Sequence, residues 1–365
     1  MRGDTANTFL VRSLHRDYEV TFLQNFSSLQ SQLAEVNDAV FVVDGNLQKY
    51  YRQELDGLIG DRPVLFLDAL ESTKSLNGVS TLIDWLLENE CNRSAHIIGV
   101  GGGIIQDVVA FTSHIYYRGI KYSLVPTTLL SMCDSSIGAK CGINFGSYKN
   151  QLGVIHAPAS VHINFDFLET LSDLDVKSGY GEILKLSITG GKDTLSQLFN
   201  VIGNQTLKSA ARSLVPQSLE IKRSIIEDDE YEHDRRRILN YGHTFGHALE
   251  AATEHAIPHG LAVAWGIDLV NFLACKLVGL PRVTAESISG FIKQNLSFSL
   301  AEFPKSKQLI DIVKRDKKMV GEVLNLVVPT ELGNLEILPV KLTSDLEELV
   351  ETYLGRHNVY DAANK

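Results

Sequence analysis

Histidine is the side chain best suited to carry protons or hold a transition metal near neutral pH. This chain gathers four of them, His243, His247, His255 and His259, within the stretch NYGHTFGHALEAATEHAIPHG. One histidine on a helix is more often a hydrogen-bonded structural residue, whereas four together favour a ligand or acid–base cluster. Upstream, SGYGEILKLSI sets Glu182 and Lys185 three residues apart in an apolar helical run, where an intrahelical ion pair is the plain expectation. Glu182 with His243 and His259 would also make an N/N/O set of the kind that catalytic zinc uses, with a coordination position left open. The spacing is not HExxH, so three readings stay open at this point: a metal site, a pair of acid–base groups, or polar residues on an ordinary helix.

Other segments carry further chemistry. HIIGVGGGIIQD joins an apolar strand to a helix through Gly101, Gly102 and Gly103, and backbone N–H groups at such a turn can approach a pyrophosphate closely. It is not a clean GxGxxG, and a tight turn with no ligand is the simpler alternative; Asp107 can equally be a dipole-compensating acid in the first helical turn. VPTTLLSMCDSSIGAKCGINFGSYKN reads as a long polar loop holding Thr127, Thr128, Asp134, Lys140, Lys149 and Asn150, and long loops of that composition are more often functional than padding. Arg118 adds a cation just before it. In IKRSIIEDDEYEHDRRRILN, most charges belong to a solvated face, yet Arg236 and Asn240 lie four apart on the approach to His243, and a guanidinium suits a carboxylate or phosphate bidentately. RDKK at 315–318 offers Lys317 and Lys318.

The elements that position these groups follow from periodicity. Up to about residue 165, short runs such as AVFVVDG, PVLFLDA, HIIGVGGG and KYSLVPTT alternate with helical stretches, the pattern of βαβ units around a parallel sheet. Beyond about residue 170 the strand signal fades and apolar residues recur at helical spacing. This divides the 365 residues into an α/β domain over 1–168 and a mainly helical domain over 169–365. A formal charge of -10 argues against a general nucleic-acid binder, so an anionic ligand needs a local cationic pocket. The four cysteines show no CxxC spacing, and no apolar run has the length and continuity of a leader or membrane span. The expectation is a cytoplasmic protein with no nucleic-acid or membrane partner.

In their order and spacing, GGGIIQD, YRGIKYSLVPTTLLSMCDSSIGAKCGIN, KNQLG, GYGEILK, the Lys222 to Asn240 segment, NYGHTFGHALE and the HG at 259–260 resemble the dehydroquinate synthase family of sugar phosphate cyclases, over about residues 40 to 340. The resemblance implies an N-terminal Rossmann-like NAD-binding domain, a mainly α-helical C-terminal domain holding zinc, with cobalt as a substitute, and a homodimer. It makes Glu182, His243 and His259 the metal ligands. NAD would lie on Asp44, Asn46, Glu71, Lys74, Gly102, Gly103, Ile104, Ile105, Asp107, Thr127, Thr128, Lys149 and the turn holding Phe167, Leu168 and Thr170. The substrate phosphate would meet Lys140, Asn150, Asn240, His247 and one of Lys317 and Lys318, with Arg118 coming from the neighbouring subunit. Lys222 and Arg236 would hold a carboxylate, and Asp134 belongs with this substrate group. His247, Glu232, Lys185 and Asn240 form the implied catalytic group. The implied reaction takes 3-deoxy-D-arabino-heptulosonate 7-phosphate to 3-dehydroquinate and phosphate by transient oxidation, β-elimination, reduction and an aldol closure.

Three positions depart from the family pattern. Gln106 stands where the turn usually has another glycine, Leu261 replaces an acid after the third ligand, and Asn325 sits near a common arginine. Within the family the rivals are aminodehydroquinate synthase, 2-deoxy-scyllo-inosose synthase and the sedoheptulose 7-phosphate cyclases. The last two take substrates without a carboxylate and have no use for Lys222 with Arg236. A metal-dependent polyol dehydrogenase, or a non-enzymatic NAD-binding module, stands further off.

Overall fold

Strands covered on both faces need unbroken apolar runs, and AVFVVD, HIIGVG and KYSLVP meet that need by burying nearly every side chain. The computed structural model describes residues 7–146, 148–300, 302–315, 319–320 and 323–356. Contacts divide the chain into two compact units, Met1–Leu171 with Arg223–Tyr231, and Ser172–Lys222 with Glu232–Lys365. The segment 223–231, which a division into 1–168 and 169–365 gives to the second domain, packs with the first.

The first unit runs β1 (Asn7–Val11), β2 (Tyr18–Leu23), α1 (Phe26–Ala34), β3 (Ala39–Asp44), α2 (Arg52–Ile59), β4 (Val64–Leu67), α3 (Leu76–Glu88), β5 (His96–Gly101), α4 (Gly103–Ile115), β6 (Lys121–Pro126), β7 (Lys140–Phe145), β8 (Tyr148–Ile155) and β9 (Ser160–Asn164). Seven strands form one sheet in the order β1-β2-β9-β6-β5-β3-β4. All its pairings are parallel except that of β1 with β2. The chain moves outward from β3 to β4, then returns to the other side of β3 for β5. The carboxyl ends of β3 and β5 therefore flank the point where strand order reverses, the place where open α/β sheets take ligands. Asp44 ends β3 and Gly101 ends β5.

The polar run at 125–150 is not one long loop. It holds a π-helical turn at Ser131–Ser135, then β7, which pairs antiparallel with β8. β7 buries Cys141 and Ile143 on one face, but β8 buries no residue and the register shifts between Ile143 and Phe145, so the hairpin pattern is blurred.

The second unit contains α5 (Asp173–Gly190), α6 (Lys192–Asn204), α7 (Leu207–Ile226, whose last four residues pack with the first unit), α8 (His243–Ala252), α9 (His259–Leu277), α10 (Arg282–Asn295), α11 (Ser306–Val313), β10 (Met319–Val320), β11 (Val323–Glu331), β12 (Asn334–Lys341) and α12 (Ser344–Arg356). β10, β11 and β12 form an antiparallel sheet, an addition to the helical expectation. α9 is long and apolar enough to cross a membrane, yet 78% of its apolar window is buried, which makes it the unit's core helix.

Candidate functional site

In the first unit the expected cofactor residues gather around the glycine turn. Gly102 caps α4, and a Cβ on Gly101 would stand 2.5 Å from the Ile105 side chain, so the turn closes only on glycine. Thr127 N donates to the Gly101 carbonyl at 3.2 Å, and Thr128 is tied to Ser131 by its N–H and hydroxyl. Asp107 accepts from Gly142 N at 3.0 Å and pairs with Lys74 Nζ at 2.5 Å. Burial raises this carboxyl above its ordinary range, against the opposing pull of Lys74 and the Gly142 N–H. Glu71 accepts from Asn144 Nδ2 at 2.8 Å and has Lys149 Nζ at 3.8 Å, while Asn150 N donates to Asn144 Oδ1 at 2.9 Å. Asn144 N also donates to the Lys74 carbonyl at 2.9 Å, so Asn144 joins three expected residues, and sequence reading had no signal for it. Burial likewise raises Asp44, offset by the N–H and side chain of Asn46.

Other expected residues fall differently. Phe167 and Leu168 are core residues at 1% and 2% exposure, with Phe167 edge-on to Phe26 and Tyr51, so their side chains shape the turn and only their backbone is left for a ligand. Ile105 is also fully buried, Ile104 and Gly103 are half-buried, and Thr170 is exposed with its hydroxyl on Tyr51 at 2.9 Å. Gln106 is buried and accepts from Ser135 Oγ at 2.7 Å, which turns it toward the π-helical segment holding Asp134. Arg118 and Lys140 are exposed, Arg118 at φ 62. Lys317 and Lys318 lie outside the described residues.

In the second unit three helices meet through glycine. A Cβ on Gly181 of α5 would lie 1.8 Å from the Gly260 carbonyl of α9, and one on Gly266 of α9 would lie 2.0 Å from the Gly242 carbonyl that precedes α8. Backbones that close bring together Glu182, which follows Gly181, His243, which follows Gly242, and His259, which precedes Gly260. Glu182 Oε1 stands 3.6 Å from His243 Nε2 and 3.3 Å from His259 Nε2. Glu182 is 1% exposed, and its other oxygen, Oε2, meets Lys185 Nζ at 2.5 Å.

The donor chemistry of this cluster fits a divalent cation. His243 Nδ1 lies 3.0 Å from the Tyr241 carbonyl, which can only accept, so Nδ1 carries the proton and Nε2 presents a lone pair toward the carboxylate. A lone pair facing an anionic oxygen is repulsive unless a cation stands between them. Ligands ~2.1 Å from a tetrahedral ion lie ~3.4 Å apart, and the observed separations of 3.3 and 3.6 Å bracket that edge. At His259 burial opposes charge, yet Glu182 and Glu250 outweigh it and raise the ring to about 10. The same field that draws a proton draws a metal ion. His247 joins the group: ligand atoms of His243, His247 and His259 all lie within 4.8 Å of one another, with His247 exposed. His255, exposed at φ 62, is not in that group.

Elsewhere in the second unit, Asn240 Nδ2 donates to Glu232 Oε1 at 2.7 Å, and Lys222 and Arg236 are buried at 7% and 5% exposure. Glu250, whose Oε2 lies 3.3 Å from His259 Nδ1, was not singled out from sequence. Its signal was there, since it follows His243 by seven residues and shares its helix face.

Comparison with known proteins adds an independent line. The 3-dehydroquinate synthase N-terminal family matches residues 64–178, and the 3-dehydroquinate synthase C-terminal family matches residues 179–319. The 3-dehydroquinate synthase of Alkaliphilus metalliredigens is 33% identical over 336 residues, covering 90% of this chain and 93% of that protein. Among solved structures, a 2-epi-5-epi-valiolone synthase from Streptomyces hygroscopicus with NAD+ and Zn2+ bound superposes with a TM-score of 0.83 at 24% identity, covering 96% of this chain and 100% of that one. A 2-deoxy-scyllo-inosose synthase complexed with carbaglucose-6-phosphate, NAD+ and Co2+ gives 0.83 at 21% identity, covering 95% and 100%. With both family matches and that relative, the chain belongs to the 3-dehydroquinate synthase family.

Proposed function

We propose that the protein converts 3-deoxy-D-arabino-heptulosonate 7-phosphate to 3-dehydroquinate and phosphate, as a cytoplasmic homodimeric enzyme with NAD and zinc. The family supplies the frame, and the observation that favours a carboxylate-bearing substrate within it is the pair of buried cations, Lys222 and Arg236, at 7% and 5% exposure. A guanidinium presents a bidentate fork to a carboxylate, and the heptulosonate and its amino analogue both carry one. Cyclases of substrates lacking a carboxylate have no use for the pair.

Glu182, His243 and His259 would hold the metal, with Lys185 fixing the second oxygen of Glu182. Bound there, zinc supplies a Lewis acid for hydroxyl and carbonyl oxygens. On the first unit, Gly102 and Gly103 with Asp44, Asp107, Thr127, Thr128 and Lys149 would take NAD, which supplies a hydride acceptor and donor at the substrate hydroxyl carbon and must stay bound through the cycle. His247 is exposed beside the ligands, where its imidazole can take and return a proton near neutral pH. Glu232 serves as a second acid–base group, with Asn240 holding one of its oxygens. Lys140, Asn150 and one of Lys317 and Lys318 would meet the phosphate. Arg118, exposed after α4, would reach the partner subunit's site.

The test is a panel of purified enzyme with heptulosonate 7-phosphate, its amino analogue, sedoheptulose 7-phosphate and glucose 6-phosphate, followed by phosphate release and product mass. Turnover of the first without net NADH is expected. Stoichiometric NADH from a simple polyol would point to a dehydrogenase and overturn the reading. In Arg236→Ala, the loss of one charge-assisted contact of about 1.5–3 kcal/mol should weaken the heptulosonate ten- to a hundredfold and leave NAD binding unchanged. Equal weakening of both would remove Arg236 from the carboxylate site.

A further inference from the structure

His259 takes its orientation from a carboxylate on another helix. Its Nδ1 stands 3.3 Å from Glu250 Oε2, and Glu250 is 8% exposed on α8. His243, by contrast, is oriented by a neutral acceptor, the Tyr241 carbonyl. The two imidazoles thus have unlike partners, and only one partner brings charge. Glu182 has its own partner in Lys185 at 2.5 Å, in a pair exposed by only 1% and 3%. Leu261, two residues after His259, is fully buried and brings no polar atom to replace the acid.

We propose that Glu250 is the positioning residue of the metal centre. It holds His259 with its proton on Nδ1, so that Nε2 faces the ion, and its carboxylate raises the basicity of that ring. Carboxylate–histidine–metal arrangements work this way, the outer carboxylate fixing the ring and raising its basicity. α8 would then serve the centre twice, through His243 as a ligand and through Glu250 behind the ligand of α9. The inference rests on the metal reading above and is independent of which sugar phosphate is the substrate.

The experiment uses the full chain without substrate. Zinc affinity is measured by competition with a chromophoric chelator, and the d–d absorption of the cobalt-loaded protein is recorded for wild type, Glu250→Gln and Glu250→Ala. Glutamine keeps an acceptor for Nδ1–H and removes the charge, whereas alanine removes both. Affinity should fall about tenfold in E250Q and about a hundredfold in E250A, with the cobalt bands altered in E250A as His259 loses its anchor. Wild-type affinity and unchanged bands in both variants, with only thermal stability reduced, would mean a plain structural ion pair and overturn the proposal. Should E250A fail to fold, the near-isosteric E250Q decides. A wild-type protein that binds neither ion would overturn the metal reading together with this one, so the two failures are distinguishable.

Discussion

Gly181→Ala tests whether helix packing, and no property of the side chains themselves, sets the geometry of the proposed metal ligands. The added Cβ would fall 1.8 Å from the Gly260 carbonyl oxygen, where real Cβ atoms essentially never come closer than 3.0 Å. The neighbour is backbone near the start of α9 and cannot rotate aside, so α5 and α9 must separate by at least ~1.2 Å along that line. Taken in full along the line between Glu182 Oε1 and His259 Nε2, which are 3.3 Å apart, the shift puts these atoms up to ~4.5 Å apart. Two ligands at ~2.1 Å can span at most ~4.2 Å even on opposite sides of one ion. G181A should therefore lose at least nine-tenths of its bound zinc by elemental analysis after chelator dialysis, and overpacking should lower its stability by about 1–3 kcal/mol. Gly290→Ala is the control: on α10 a Cβ meets nothing within 4 Å, so the helix interior should gain up to ~1 kcal/mol with metal content unchanged. A folded G181A that keeps one tightly held zinc per chain would show that the ligands find each other without the glycine contact and would refute the argument.

Acid should act on a separate network. His96 Nε2, Ser123 Oγ, Ser160 Oγ and His162 Nε2 form a hydrogen-bonded chain across β5, β6 and β9, with links of 2.9, 2.8 and 2.8 Å. Burial pushes His162 down to about 4, with His96 adding to it, and pushes His96 down to about 4, with Lys121 and Arg16 adding to it. A folded value below the ordinary 6.5 means that the native state binds fewer protons than the unfolded chain. The associated stability is complete above pH 6.5 and disappears as pH falls toward 4, by about 3 kcal/mol for His162. Urea unfolding of wild type and His162→Asn at pH 7 and pH 4.5 checks this: the variant should show a flatter dependence, and parallel curves would refute it. Asp107→Asn leaves Lys74 without its partner in a half-buried site and should cost about 3 kcal/mol in denaturant unfolding, with NAD binding weakened; unchanged stability would show that the pair is solvated. Gly101→Ala forces the strand-to-helix turn open against Ile105, so calorimetry should find NAD at least tenfold weaker while zinc content holds.

What the sequence disclosed tracks how local the cause was. β3, β5 and β6 are legible because a strand buried on both faces must be apolar throughout, and α3, α4 and α6 because their periodicity is long enough to show. The β7–β8 hairpin was hidden by mixed burial and a register shift, and β1 by its length of 5 residues at the sheet edge. The π-helical turn at Ser131–Ser135 leaves no periodic mark at all. Phe167 and Leu168 show a further point, since a segment singled out for a ligand can turn its side chains into the core and leave only its backbone to meet one.

The metal cluster is the sharper case, because composition suggests it and spacing cannot establish it. Glu182 and His243 are separated by two further helices, and their approach depends on Gly181, Gly242, Gly260 and Gly266, residues that carry no chemistry of their own. Histidine count alone would have admitted His255, which the fold leaves exposed at φ 62 and outside the group of converging nitrogens. Nor can a sequence show which ring nitrogen holds a proton. That assignment comes from acceptors at Tyr241 and Glu250, and it alone turns three nearby polar groups into a set of lone pairs aimed at one point. The glycines and the acceptors therefore constrain the centre as tightly as the ligands do. Conservative changes there, Gly181→Ala or Glu250→Gln, should empty the site or weaken its hold while every ligand remains in the chain.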